Sequence, residues 1–383
     1  MRAGMALGAV SLLLGGAASL AGDFADVVYP TGYRPGPGQF VNEPSPFTGL
    51  IFNDQTKALG APLGGGTSAP DNSKVVTLGG FGGSVILGFS ATVLDDPCNA
   101  YGIDAIVFGN SFVVGPISNL GREPGVIEIA RDANGNGIPD DPWYVIRAPS
   151  AGTSGSGITS AIPSAQIVAR TWDNDPGTPT LPADPSWYPD AVLYPWLVPP
   201  GFPSSYQTAT YALVMPPAGA ALVGHADVSS VLLLGDLDGD NTIDAPGLAP
   251  GAFYTVPDNP WVFGVDAGSG GGDGFDIAWA VDPATGEPAN LAGFDFVRIS
   301  SGIDVTQGAL GEVSTEVGAV ADARPEPLFF DVDGSGAVDA EDLYAWHAAP
   351  ADVTGEALVT AVDERLVLWC VRAGEIADTE ATR

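Results

Sequence analysis

Short runs rich in Val, Ile and Phe, each bounded by Gly, Pro, Asn or Asp, recur through most of the chain, at 74–78, 84–89, 105–108, 126–130, 143–147, 211–215, 228–234, 275–281 and 294–300. Such runs predict strands joined by tight turns. No long helical period interrupts them, and 52 glycines with 34 prolines supply the turns. The expected class is mainly β, a jelly-roll-like β-sandwich. After about residue 325 the pattern changes. Leu343, Tyr344 and Trp346, then Leu366, Val367, Trp369 and Cys370, stand at helical spacing. Two short helices that can pack on each other are predicted there.

Each predicted helix follows an acidic loop. In Asp331-Val-Asp-Gly-Ser-Gly-Ala-Val-Asp-Ala-Glu-Asp342 the positions 1, 3, 5, 9 and 12 carry Asp331, Asp333, Ser335, Asp339 and Asp342. Gly336 fills the turn position and Ala337 offers its carbonyl at position 7. That is the ligand order of a 12-residue calcium loop. A second copy, Asp352-Val-Thr-Gly-Glu-Ala-Leu-Val-Thr-Ala-Val-Asp363, places Asp352, Thr354, Glu356 and Asp363 at positions 1, 3, 5 and 12. It is degenerate. Ala357 replaces the turn glycine at a steric cost, so an occupied site and a structural vestige both remain open.

Paired loop–helix units of this kind resemble the dockerin family over about residues 328–375. The resemblance implies a small C-terminal α-helical domain of paired calcium loops, 325–375, followed by a tail at 376–383, with Ca2+ as ligand and a cohesin-like or other surface partner. This sequence departs from the family in the close spacing of the two copies and in the lost second glycine. Calcium therefore carries over better than cohesin binding.

Two further acidic loops lie among the predicted strands. Asp132, Asn134, Asn136 and Asp140 recur around Gly137, and Asp236, Asp238, Asp240 and Asp244 repeat the pattern. Both match the first nine positions of a calcium loop. Pro139 and Pro142 forbid a helix after the first. The competing reading is a turn held by Asp and Asn side chains bonded to their own backbone.

Charge narrows the partners. With 13 Lys and Arg against 46 Asp and Glu the net charge is −33, a surface that repels phosphate backbones and anionic lipid but attracts divalent cations. Nucleic acid is excluded as a partner. Arg2, an uncharged stretch over 3–22 and the small-x-small site Ser19-Leu20-Ala21 describe a leader peptide at 1–21, favoured over an N-terminal membrane anchor because glycines dilute the stretch, and predict a secreted, extracellular or cell-surface protein. No later segment is apolar enough to span a membrane. The body of the chain would then be 22–324.

Blocks such as Phe108-Gly-Asn-Ser-Phe112, Glu123-Pro-Gly125 and Gly272-Asp-Gly-Phe-Asp-Ile-Ala-Trp-Ala-Val-Asp282, spread over about 31–322, resemble a group of bacterial secreted or cell-surface proteins. That group has no assigned activity, so the resemblance implies export and one large β domain and supplies no catalytic residues.

Catalytic signatures are absent from the sequence. There is no Gly-x-Ser-x-Gly elbow, and the two histidines, His225 and His347, with the two cysteines, Cys98 and Cys370, show no zinc-cluster spacing. Those cysteines could bridge the two domains or remain thiols. Glycoside hydrolysis needs only two carboxylates, which Glu43, Glu123, Glu128 and many aspartates offer. Trp143, Tyr144, Trp187, Tyr188, Trp196 and Trp261 are candidates for stacking on sugars, against a core role. The expected function is a non-catalytic, calcium-binding surface protein with a glycan as its ligand. The alternative is a polysaccharide hydrolase or lyase carried by the same C-terminal module.

Overall fold

The computed structural model describes residues 22–35, 49–79, 83–96, 98–113, 120–148, 223–261, 264–301, 306–307, 311–312, 314–324, 330, 332–335, 338–353, 359 and 361–381. The leader at 1–21, the strand expected at 211–215 and the Pro-rich segment at 172–205 with Trp187, Tyr188 and Trp196 lie outside them.

The described chain is mainly β, with antiparallel ladders throughout. Its strands are β1 (Val27–Val28), β2 (Val76–Thr77), β3 (Ser84–Leu94), β4 (Ala105–Phe108), β5 (Phe112–Val113), β6 (Leu120–Gly121), β7 (Gly125–Ala130) and β8 (Tyr144–Ile146). They continue with β9 (His225–Ala226), β10 (Asp273–Phe275), β11 (Ala280–Val281), β12 (Gly293–Ser301), β13 (Thr306–Gln307), β14 (Gly311–Glu312), β15 (Glu316–Val317) and β16 (Ala319–Asp322). Two α-helices follow among the described residues, α1 (Ala340–Ala348) and α2 (Ala361–Ala381).

The larger sheet runs β1-β3-β12-β7-β8-β11, with β9 also on β7, and a second sheet runs β10-β4-β16. One hydrophobic core lies between them. Val85, Leu87, Ile127, Ile129, Val297 and Ile299 from the first sheet meet Ile106, Val107, Phe108, Phe275 and Val320 from the second. The period of two does this directly, since alternate residues of a strand face one side. The intervening residues of the first sheet face the other way, where Ile86, Ala130, Trp143 and Phe296 form a smaller apolar cover with Tyr29 packed on it.

β12 is the central strand, and its register fixes the sheet. Val297 sits between Leu87 and Ile129, Arg298 between Ile86 and Glu128, and Ile299 between Val85 and Ile127. Arg298 thus lies beneath the apolar cover, wholly buried. Its Nε and Nη2 donate to Glu128 at 2.9 and 2.6 Å, a bidentate pair. The Trp143 ring lies 4.3 Å above the guanidinium, shielding it from water. A bulge between Phe294 and Phe296 leaves Asp295 outside the ladder, and its carboxylate takes Thr92 Oγ1 at 2.6 Å and the Asp132 amide at 2.8 Å. The bulge therefore anchors the start of the 132–140 loop.

Three expected elements differ. The run 228–234 makes only single bridges, Ser111 to Ser230 and Val231 to Gly271. Asp227 at φ +60° turns the chain just before it. The run 275–281 is broken by a 3-10 turn, Ile277–Trp279, because the Asp276 side chain captures the Ala278 amide at 2.6 Å and competes with the ladder. α2 continues through most of the expected tail, since Glu375-Ile-Ala-Asp-Thr-Glu-Ala381 contains no proline to stop it.

Breaking a buried ion pair leaves the remaining charge unpaired, at a cost of about 3–5 kcal/mol. Glu128→Gln and Arg298→Met are each expected to lower the denaturant midpoint accordingly, whereas the double change Glu128→Leu/Arg298→Met recovers most of the loss. Additive losses in a denaturant titration would show that the pair does not act as a unit.

Candidate metal centres

In the first C-terminal loop the described candidates converge on Asp342. It is fully buried at the start of α1. Its Oδ2 accepts the Asp339 amide at 2.7 Å and its Oδ1 the Asp333 amide at 3.1 Å, while Asp339 caps the Glu341 amide at 2.9 Å. One carboxylate at position 12 thus ties the loop to itself at a helix N-terminus, where the dipole favours negative charge. Asp333 receives the Ser335 amide at 2.9 Å, and Gly334 takes φ +73° in the bend between them. Asp331 and Ala337 lie outside the described residues.

The second loop repeats this design at its end. Asp363, also fully buried, accepts the Val353 amide at 2.8 Å from the opening of its own loop, beside the half-buried Asp352. Thr354 and Glu356 lie outside the described residues. Phe330, Trp346, Val353, Val367, Cys370 and Val371 form a small core between the units. Tyr344 and Trp369, expected within the helical apolar pattern, instead point outward, 66% and 48% exposed.

Of the loops in the β body, 236–244 gathers its acids and 132–140 satisfies them internally. Carboxylate oxygens of Asp236, Asp238 and Asp244 lie within 4.8 Å of one another. Asp236 is fully buried and accepts the Gly239 and Asn241 amides at 2.9 and 3.0 Å; Asp244 accepts the Leu237 amide at 3.0 Å. Asp240 is exposed and turns to the Thr242 amide at 2.7 Å. In the other loop Asp132 accepts the Asn136 and Gly137 amides at 3.1 and 2.8 Å. The side-chain amides of Asn134 and Asn136 donate to Asp140 at 3.1 Å each. Donors aimed at Asp140 match the turn reading of that loop, whereas at 236–244 three carboxylates converge and backbone amides also reach them.

Sequence reasoning named Glu123 as one carboxylate among many but missed the group it joins. Glu123, Asp227 and Glu316 bring oxygens within 4.8 Å of one another from three distant segments. Asp227 is locked: its Oδ1 takes the Asn110 amide at 2.8 Å and its Oδ2 the Glu316 amide at 3.0 Å. Gly109 is required beside it, because a Cβ there would stand 2.2 Å from Asp227 Oδ1. Glu316 Oε1 accepts Thr77 Oγ1 at 2.7 Å, while its buried Oε2 meets no hydrogen-bond donor. Burial, and then the neighbouring carboxylates, push Asp227 and Glu316 well above the usual range; burial raises Glu123 as well. Nearby Asp273 is pushed up to about 7 by burial, although the Val228 amide donates to it at 3.0 Å. A second group joins Asp95, Asp104 and Asp276, with Asp276 at about 7 for the same first cause. The sequence held one signal, an acid set between apolar residues, as in Ala226-Asp227-Val228. It could not say which would meet.

The candidate sugar-stacking residues Trp143 and Trp261 are core, 7% and 4% exposed. Trp261 packs edge-on against Trp279, and Trp143 covers Arg298. Glu128 is committed to Arg298, and burial pushes half-buried His225 down to about 4. No helix among the described residues is long and apolar enough to cross a membrane. No family model and no curated protein matches the chain.

Carboxylates packed this closely need either protons or a divalent cation. Their raised pKa values mean that the folded chain holds protons which the unfolded chain releases near pH 4. Without a cation, their contribution to stability is therefore full at low pH and is lost as pH rises through the raised pKa values, about 7 for Asp273 and Asp276. In EDTA, Tm is expected to be higher at pH 5 than at pH 8, with calcium restoring more at pH 8. Glu316→Gln should raise the pH 8 Tm in EDTA and reduce the calcium gain, whereas exposed Glu287→Gln changes neither. Equal behaviour of the two variants in differential scanning calorimetry would remove the buried group as the cause.

Proposed function

We propose that the chain is an exported, calcium-binding surface protein. In this reading a jelly-roll-like β body carries the ligand surface, with glycan as the ligand class, and a dockerin-like pair of loop–helix units attaches it to a cohesin-like or other surface partner. The observation that carries it is the repeated arrangement at Asp342 and Asp363. Each is a fully buried carboxylate at position 12, and each reaches back to an amide near the start of its own loop. Two copies of one ligand frame, packed through Trp346 and Val367, support calcium more strongly than a single acidic turn does. The leader pattern at 1–21 supports export. Calcium would be held by Asp331, Asp333, Ser335, the Ala337 carbonyl, Asp339 and Asp342, with 352–363 and 236–244 as further loops.

The non-catalytic side of the proposal rests on enclosure. Asp227 is fully buried and Glu316 only 6% exposed, which leaves no room for a sugar ring between these two carboxylates.

Calorimetric titration of the full chain with calcium should show binding that Asp342→Ala weakens by at least the roughly 10–100-fold typical of losing an outer-sphere partner of a metal ligand. Asp140→Ala should leave that site unchanged. Identical titrations for Asp342→Ala and the parent chain would sink the calcium assignment of the C-terminal loop.

On a polysaccharide panel the chain is expected to bind without releasing reducing sugar. Release that disappears on changing one acidic residue, with the fold intact, would establish the hydrolase or lyase instead.

A further inference from the structure

Cys98 and Cys370 are 272 positions apart in the chain and are its two cysteines. The fold brings them together. Cys98 lies half-buried in the turn after β3, where its amide donates to Asp96 at 2.9 Å, and its side chain packs against the core of the C-terminal helices. Cys370 is buried on the face of α2 that also carries Val367 and Val371, one turn apart. Both are thiols in this structure, and the two side chains share a hydrogen bond. That bond, followed by burial, raises the Cys370 thiol.

We propose that Cys98 and Cys370 form an intrachain disulfide that locks the C-terminal helical module onto the β body. The placement meets what a bridge needs, two thiols already side by side on backbone that is held from both directions. Asp96 fixes the turn on one side, and on the other the core around Trp346 and Val367 fixes α2. Cys98, the more accessible of the two, is the entry point. Its thiolate attacks a sulfur of an external disulfide oxidant, the oxidant's S–S bond breaks, and a mixed disulfide forms as one oxidant thiolate leaves. The Cys370 thiolate then attacks the Cys98 sulfur and releases the second oxidant thiolate. Two cysteines are oxidised, one external disulfide is reduced, and the two cysteine protons end on its two thiols. Formation of the bridge in the cell rests on the export reading, because reducing compartments keep thiols free. Its formation in a defined buffer does not.

The test uses the calcium-loaded full chain, reduced and then equilibrated with equal concentrations of reduced and oxidised glutathione before quenching with N-ethylmaleimide. The expected product carries no maleimide, weighs two hydrogens less than the reduced chain and migrates faster on a non-reducing gel. Its peptide map should contain one cross-linked pair, Cys98 with Cys370. Cys98→Ser should abolish the pair and lower Tm by about 5 °C or more relative to the oxidised chain. Alkylation of both cysteines, a stable glutathione adduct at Cys98, or cross-linking between chains would overturn the proposal. If the bridge forms in this buffer but the chain recovered from its source cell is reduced, the geometry stands and the export reading falls.

Discussion

The central constraint is one buried charge pair. Arg298 stands in the middle strand of the larger sheet, where every neighbour in register is apolar except Glu128. A guanidinium there is tolerable only because Glu128 takes two of its N–H groups and Trp143 closes over its face. Slipping β12 by one residue would turn Arg298 into the main core and lift Val297 and Ile299 to the outer side. The pair therefore sets the register on which the bulge at Asp295, and through it the 132–140 loop, depends. Its value lies in specificity more than in net stabilisation, since a well-packed apolar pair could contribute as much.

Acid distribution follows a different logic. A chain of net charge −33 spreads most of its carboxylates over water, yet it buries Asp227, Asp273 and Glu316, with half-buried Glu123 beside them. Backbone amides answer some of the oxygens, as Asn110 and Glu316 do for Asp227. They do not answer all. Glu316 Oε2 and Asp273 Oδ1 remain without a donor, and the cost of that falls with either a proton or a cation. Stability and ion content are thereby linked through the same few side chains.

The acidic loops could be located in the sequence because their information is local. Within nine to twelve residues the spacing of Asp, Asn and Gly states which oxygens can turn inward, and the structure indeed gathers Asp236, Asp238 and Asp244 and ties Asp342 to Asp333. The same local reading could not separate 236–244 from 132–140. That difference arises from where Asn134 and Asn136 point their amides, a choice made by the folded loop. Strands were legible where a run rich in Val, Ile and Phe was uninterrupted, as in β3, β7 and β12. They were misread at 228–234 and 275–281, where Asp227 and Asp276 bend the backbone through conformation and capping that hydrophobic pattern does not encode.

By itself the sequence determined the β character of the body, the helical end, the acidic surface and the positions of the acidic loops. Each depends on residues close together along the chain, through period, turn chemistry or net composition. Only the tertiary structure decided that Arg298 meets Glu128, that three acids from separate segments share one enclosure, and that Cys98 meets Cys370. It also decided that Trp143 and Trp261 are core and not a sugar platform. These are contacts between positions tens to hundreds of residues apart, selected by how sheets and helices pack, and no local spacing records which partner a buried charge, thiol or ring will find.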